Sequence, residues 1–258
     1  LGSNNSIQDG FNLAWKLAYV IKDKAGAELL DTYSIERSPI AKQIVTRANQ
    51  SIAEFGPIFE ALGLTDTQDP VKMKKNMDER KQNSPKAEKQ RQALREAIAF
   101  KKYEFDAHGV EMNHRYKSNS VLTEGDKEPE FKKDKELFYQ PTTYPGARIP
   151  HAWVYDKTGV KHSLLDLCGK GNFSIFTGIG GEEWLKAAKN IETQLGIKIQ
   201  CNIIGPDQDF EDHAGEWSSI REISDSGLIL VRPDQHICWR SKDTVSYTHL
   251  RAHETFGY

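Results

Sequence analysis

The chain has 258 residues, 38% of them hydrophobic and 28% charged, and a formal net charge of −2. That balance suits one large or two modest domains and gives no electrostatic pull toward nucleic acid or an anionic membrane. Three cysteines, Cys168, Cys201 and Cys238, form no C-x-x-C pair, which argues against a disulfide framework; with no span-length apolar run and no leader pattern, a cytoplasmic protein off the membrane is expected.

Residues 1–18, Leu1-Gly2-Ser3-Asn4-Asn5-Ser6-Ile7-Gln8-Asp9-Gly10-Phe11-Asn12-Leu13-Ala14-Trp15-Lys16-Leu17-Ala18, read as a tight glycine turn running into a helix. Ser6 and Asp9 fit the S-x-x-D capping pattern. Ile7, Phe11, Ala14, Leu17, Ala18 and Ile21 recur at helical spacing and predict a wide apolar face. Lys22 and Lys24 suit the negative end of the helix, and Gly26 is the expected stop. On spacing alone this is an ordinary capped amphipathic helix. Its start, fed by Gly2, also offers free N–H groups to an anion.

The string G-S-N-x-S-I-Q-D-x-x-N-L-A-W-K-L-A resembles the last flavin-binding motif of the FAD-dependent aromatic hydroxylases, the single-component phenol hydroxylases. The resemblance implies that Gly2, Ser3 and Asn4 bind the flavin edge, where backbone N–H groups and the helix dipole stabilise charge gathered on the reduced ring. Asp9 would cap the helix and orient the turn. It further implies FAD as cofactor, NADPH as reductant, a phenol or chlorophenol hydroxylated at the ortho position, and a homodimer. In that family, a Gly-Asp-Ala-x-His segment and a Pro-x-x-Gly loop precede this motif. The sequence begins inside the motif, so a C-terminal fragment, inactive by itself, is expected.

Along the chain, residues 27–37 predict a second helical piece, and Ser38-Pro39 a fresh helix start. Ile40, Ile44, Val45, Ala48, Ile52 and Phe55 carry its apolar stripe to Gly56-Pro57. The run from Leu30 to Ala41 resembles the family's L-x-x-Y-x-x-E-R-x-P-x-A signature. Glu36 and Arg37 are adjacent and so point apart on a helix, which favours structural ion pairs with other segments over catalysis. Residues 69–82 and 84–105 are charged helical stretches with a sparse inner face of Val71, Met73, Leu94, Ile98 and Phe105. Lys72, Lys74 and Lys75 are interleaved with acids and read as a solvated face rather than a phosphate site. Residues 109–122 alternate weakly, with Tyr116 and Val121 strand-like.

Residues 123–143 are rich in Lys, Asp and Glu and predict a linker. The segment Tyr144-Pro145-Gly146-Ala147-Arg148-Ile149-Pro150-His151-Ala152-Trp153 resembles the start of the family's C-terminal domain. Beyond it, short β-rich runs at 152–155, 172–178, 197–204, 227–232 and 236–240, with an amphipathic helix at 182–195, predict a thioredoxin-like sheet. The run from Leu228 to Arg240 also resembles that family domain, which implies that residues 233–235 turn between its last two strands.

Other constellations are weak. Gly178-Ile179-Gly180-Gly181 follows a strand, but a dinucleotide fingerprint needs its third glycine where Glu183 stands. Cys168 lacks the partner that thiol exchange requires. Asp212-His213 has no nearby serine nucleophile. The tail from Ser246 resembles accidentally translated adapter DNA; its His249 and His253 have helical metal spacing but no third ligand. The expected fold is α/β: residues 1–122, the helical C-terminal part of a FAD-binding domain; 123–143, a linker; 144–245, a thioredoxin-like domain; and 246–258, a non-native tail. A different function class also fits the pattern, a non-catalytic thioredoxin-like module with a helical arm for subunit contact.

Overall fold

Helix α1 (Gly2–Ile21) begins at the glycine itself in the computed structural model, which describes residues 2–244. The expected capping box is not formed. Ser6 lies inside the helix and its hydroxyl donates back to the Gly2 carbonyl at 3.2 Å, the local bond that competes with capping. Asp9 is taken by other partners, accepting from Arg37 Nε at 2.7 Å and Asn5 Nδ2 at 3.2 Å. The helix closes at Asp23 rather than Gly26. Asp23 adopts φ 52°, and the Lys24 N–H donates to the Tyr19 carbonyl at 2.8 Å, a left-handed closure that asparagine, aspartate and glycine tolerate.

The two faces of α1 are used the opposite way from the apolar pattern. The buried residues are Asn12, Trp15, Lys16 and Tyr19, which share one face at i, i+3, i+4 and i+7. Ile7 and Ile21, on the expected inner face, are 70% and 76% exposed. Trp15 and Tyr19 instead meet Phe173 edge-on, with centroids 6.0 and 5.8 Å apart, a favoured aromatic geometry.

After a 3-10 turn at Ala27–Leu30, helix α2 (Asp31–Ala53) runs unbroken through Ser38-Pro39, where a new start was expected. Pro39 lacks the N–H that would bond the Ile35 carbonyl. The turn before it is pinned by the buried side chains of Glu36 and Arg37, so the helix tolerates the lost bond.

The described residues form two units, one of residues 40–111 with 133–139, the other of residues 2–39 with 112–132 and 140–244. In the first, the rest of α2 is followed by α3 (Gly56–Ala61), α4 (Pro70–Glu79), α5 (Pro85–Phe100), α6 (Lys102–Phe105) and α7 (His108–Met112), the last reaching into the second unit. Asp69 and Ser84 cap α4 and α5, each with proline in the first turn. The apolar core here is thin. Val71, Ile98 and Phe105, expected inside, are exposed, while Ala87 and Ala97 are buried. Polar ties do much of the joining: Asn76 Nδ2 donates to the Gly63 carbonyl, Gln90 Nε2 to the Asn76 carbonyl, and Lys101 Nζ to the Ser51 carbonyl. Residues 109–122 form no strand; beyond α7 they make a single bridge, Arg115 to Ala147.

The second unit carries the sheets. Strands β1 (Trp153–Asp156), β2 (Lys161–Ser163) and β5 (Phe210–Glu211) make a small antiparallel sheet. Strands β3 (Phe173–Thr177), β4 (Ile199–Ile203), β6 (Leu228–Val231) and β7 (Ile237–Ser241) make the main one, in the order β4-β3-β6-β7. Helix α8 (Glu182–Leu195) links parallel β3 and β4, β6 and β7 close antiparallel, and α9 (Glu216–Ile220) lies between β5 and β6. This is the thioredoxin-like α/β order expected. Alternation places Phe176, Ile229, Val231 and Ile237 in the larger core and Ile175, Leu228 and Trp184 of α8 in the other. Each such side chain contributes roughly 1.5–3 kcal/mol of burial.

Gly146 is required where it stands. It has φ +96°, and a Cβ would collide with the Tyr116 carbonyl oxygen. Its own N–H and carbonyl bond Ile237 and Tyr116. Gly146→Ala is expected to cost more than about 2 kcal/mol, read as a lower urea midpoint. An unchanged midpoint would contradict this packing.

Candidate functional site

The sequence-expected site residues Gly2, Ser3 and Asn4 form the first turn of α1 and are exposed. N–H groups of a first helical turn have no intrahelical carbonyl to donate to. The turn contains no acidic residue, so nothing in it opposes an electron-rich ligand. A Cβ built on Gly2 meets nothing of this chain within 4 Å. Any need for glycine here comes from what approaches the turn, not from packing within the chain. An acid-free helical turn with glycine in it fits the approach of a flat, polar, electron-rich edge such as that of a flavin.

Behind that turn lies a buried charge cluster in the second unit. Glu36 Oε2 accepts from Lys16 Nζ and Asn12 Nδ2, both at 2.8 Å, and from Arg232 at 3.0 Å. Its Oε1 accepts from Arg232 at 2.6 Å and from the hydroxyls of Ser118 and Ser120 at 2.6 and 2.9 Å. Arg232 also forks onto Asp234, at 3.1 and 2.6 Å. The guanidinium sits between the rings of Trp15 and Tyr116, 5.2 and 5.3 Å from their centroids. Two cations and two carboxylates thus balance, with side chains at most 1% exposed.

Burial would raise the Glu36 pKa, but the hydrogen bonds and charges of Arg232 and Lys16 outweigh it and hold Glu36 at about 2. Asp234 is likewise held low: burial opposes ionisation, and Arg232 and His236 overcome it. Lys16 goes the other way within the same pair. Its desolvation exceeds what Glu36 returns, so its pKa falls below the ordinary lysine value. Glu36 answers to two cations while Lys16 leans mainly on one carboxylate, which accounts for the asymmetry.

A carboxylate with a depressed folded pKa stabilises above its unfolded pKa of about 4.5 and loses that contribution as pH falls toward about 2. The Glu36 contribution is on the order of 3 kcal/mol. The urea midpoint is expected to drop steeply between about pH 4.5 and pH 2, and to drop less in Glu36→Gln. Equal slopes in the two proteins would contradict the assignment.

Sequence reasoning placed Glu36 and Arg37 in structural ion pairs, and the geometry agrees. It did not find Asn12, Lys16, Arg232 or Asp234. The available signal was that Asn12 and Lys16 share the helical face of Trp15 and Tyr19. Cys168, Cys201 and Cys238 are unpaired, and burial pushes Cys168 and Cys238 up to about 12. Gly178–Gly181 is a strand-to-helix turn, with Gly180 at φ +87° and Gly181 preceding α8. Asp212 accepts from the Ser218 backbone and hydroxyl, at 2.8 and 2.7 Å. No metal-holding group of His, Cys, Asp and Glu occurs among the described residues. His249, His253 and the rest of the tail from Ser246 lie outside them, and no helix among them is long and apolar enough to cross a membrane.

Residues 1–48 match the family model of the FAD binding domain, and residues 142–257 that of the aromatic-ring hydroxylase C-terminal domain. Over 241 residues the chain is 51% identical to 2,4-dichlorophenol 6-monooxygenase of Delftia acidovorans, covering 93% of this chain and 41% of that protein. It is 48% identical over 246 residues to phenol 2-monooxygenase of Pseudomonas sp. strain EST1001, covering 95% and 40%. Among solved structures, the flavin-dependent monooxygenase PieE, in complex with FAD and substrate, superposes with a TM-score of 0.88 at 40% identity, covering 93% of this chain and 41% of PieE. The chain therefore spans about two fifths of the length of these relatives. Both family models match in order, and about half of the aligned residues are shared with a phenolic monooxygenase, so the chain is similar over nearly its whole length to part of the FAD-dependent aromatic-ring hydroxylases.

Proposed function

We propose that this chain works as part of an FAD- and NADPH-dependent monooxygenase that hydroxylates a phenol or chlorophenol at the ortho position. The observation that carries the reading is that Gly2, Ser3 and Asn4, an acid-free turn of α1, lie within the segment that matches a FAD binding domain. Gly2, Ser3 and Asn4 would hold the flavin edge through backbone N–H groups, with the helix dipole favouring negative charge there. FAD, when bound, supplies the redox and oxygen chemistry. The chain's residues orient the edge and keep the supporting helix fixed. The substrate class follows from relatives named for dichlorophenol and phenol.

The segment boundaries at 122 and 143 belong to the same reading, the second supported by a family match that begins at 142. So does a cytoplasmic site, supported by three unpaired thiols. The homodimer implied by the family resemblance is checked by light scattering.

The test joins this chain to the portion of the Delftia acidovorans relative that it does not match. The chimera is expected to bind FAD stoichiometrically and to oxidise NADPH faster with a chlorophenol, releasing a catechol. The chain by itself is expected to retain no flavin, because one helix end buries too little of so large a ligand. A chimera that folds but binds no FAD, or leaves phenols unchanged, would sink the proposal. Stoichiometric flavin on the chain alone would overturn its inactivity.

A further inference from the structure

Glu36 and Arg37 are neighbours on α2 that grip different stretches of α1. Glu36 holds Asn12 and Lys16, in the middle of the helix. Arg37 holds its first turns: Nε donates to Asp9 at 2.7 Å, and the two terminal nitrogens donate to Asn5 at 2.8 Å and Gln8 at 3.5 Å. The guanidinium also donates to the Tyr116 hydroxyl at 3.1 Å. The Tyr116 ring stacks on His236, with centroids 4.1 Å apart, and His236 lies just before β7.

Apolar packing does little at this end of α1. Gly2, Ser3, Asn4, Ile7, Gln8 and Phe11 are exposed. Helix ends fray unless side chains tie them down. Arg37, with its side chain 3% exposed, provides that tie from a rigid anchor. It also neutralises Asp9. An uncompensated carboxylate two turns behind the helix start would work against negative charge gathering there.

We propose that Arg37 is a positioning residue: it fixes the first turns of α1, and so the direction of the Gly2, Ser3 and Asn4 N–H groups, from an anchor at Tyr116 and His236. Its importance for flavin rests on the reading of that end as a flavin edge. The fixing of the helix does not. Lysine cannot replace Arg37, because a point charge cannot span Asn5, Asp9 and Tyr116 as a planar fork does.

Hydrogen exchange by mass spectrometry on the chain, with Arg37→Lys and Arg37→Met, decides the first part. Amides of residues 6–11 are expected to exchange about tenfold faster or more, the loss of one charged hydrogen bond, while β3 and β6 keep their protection. Unchanged exchange at 6–11 would overturn the proposal. So would an equal loss of protection in the strands, which marks a general structural role. In the FAD-loaded chimera, both variants are expected to bind FAD about tenfold more weakly and to shift the visible flavin band, with no rescue by lysine. Wild-type affinity and spectrum in the variants would overturn the link to flavin. A wild-type chimera without FAD would sink the flavin reading instead, and the exchange result would still decide the clamp.

Discussion

Glu36→Leu is expected to destabilise the sheet-bearing unit by about 3–5 kcal/mol, a large share of the roughly 5–15 kcal/mol that holds a domain together. The variant leaves Lys16 and Arg232 facing Asp234 alone, a net positive charge in a site almost closed to water. It also takes one acceptor from each of Ser118, Ser120 and Asn12, leaving Asn12 with Asp234 and the two serines with each other. Removing Lys16 as well separates charge imbalance from lost packing. Glu36→Leu with Lys16→Met restores neutrality and keeps the forked Arg232–Asp234 pair, and buried ion pairs are often replaceable by apolar residues at little cost. The double variant should therefore melt above the single one. A double variant no more stable than Glu36→Leu would show that charge balance is not what the cluster supplies.

The second large effect is expected at the helix start. Gly2→Val should leave the melting temperature of the chain nearly unchanged, because a Cβ there meets nothing of this chain within 4 Å. In the flavin-loaded chimera the same change should weaken FAD binding or slow hydroxylation by about a hundredfold, equivalent to about 3 kcal/mol for one lost backbone donor. The branched side chain would occupy the space the flavin edge needs. A melting temperature that falls sharply would place the effect in the fold. Unchanged flavin affinity and turnover would remove Gly2 from the site.

The sheet domain was legible in the sequence because its signals are local. The helix expected at residues 182–195 is α8, Glu182–Leu195. The runs at 172–178 and 227–232 contain β3 and β6, and the turn at 233–235 joins β6 to β7. Short apolar runs between turn residues define strands without reference to distant partners. The helical part was harder because its burial is decided far away. The spacing of Ile7, Phe11 and Ile21 marks a face that stays exposed in this chain. Lys16 looks like a surface residue until Glu36 and Arg232 arrive from other segments. No local rule pairs residue 36 with residue 232, and a lysine on the face of Trp15 and Tyr19 shows only that something unusual must meet it.

The same limit explains the capping error. Ser6 and Asp9 satisfy a local pattern, but Arg37, 28 residues on, takes the Asp9 carboxylate. The helix then extends back to Gly2. Gly2, Ser3 and Asn4 stay together in one turn, and Arg37, which reaches Asn5, Gln8 and Asp9 just behind it, lies outside the motif.

The most direct test of the central claim is an experimental structure of the chimera with FAD bound. The account predicts the pyrimidine edge of the flavin ring within hydrogen-bonding distance, about 3 Å, of the backbone nitrogens of Gly2, Ser3 or Asn4, with Arg37 still on Asp9 and Asn5. A flavin seated elsewhere, with the start of α1 facing solvent or another protein segment, would contradict it.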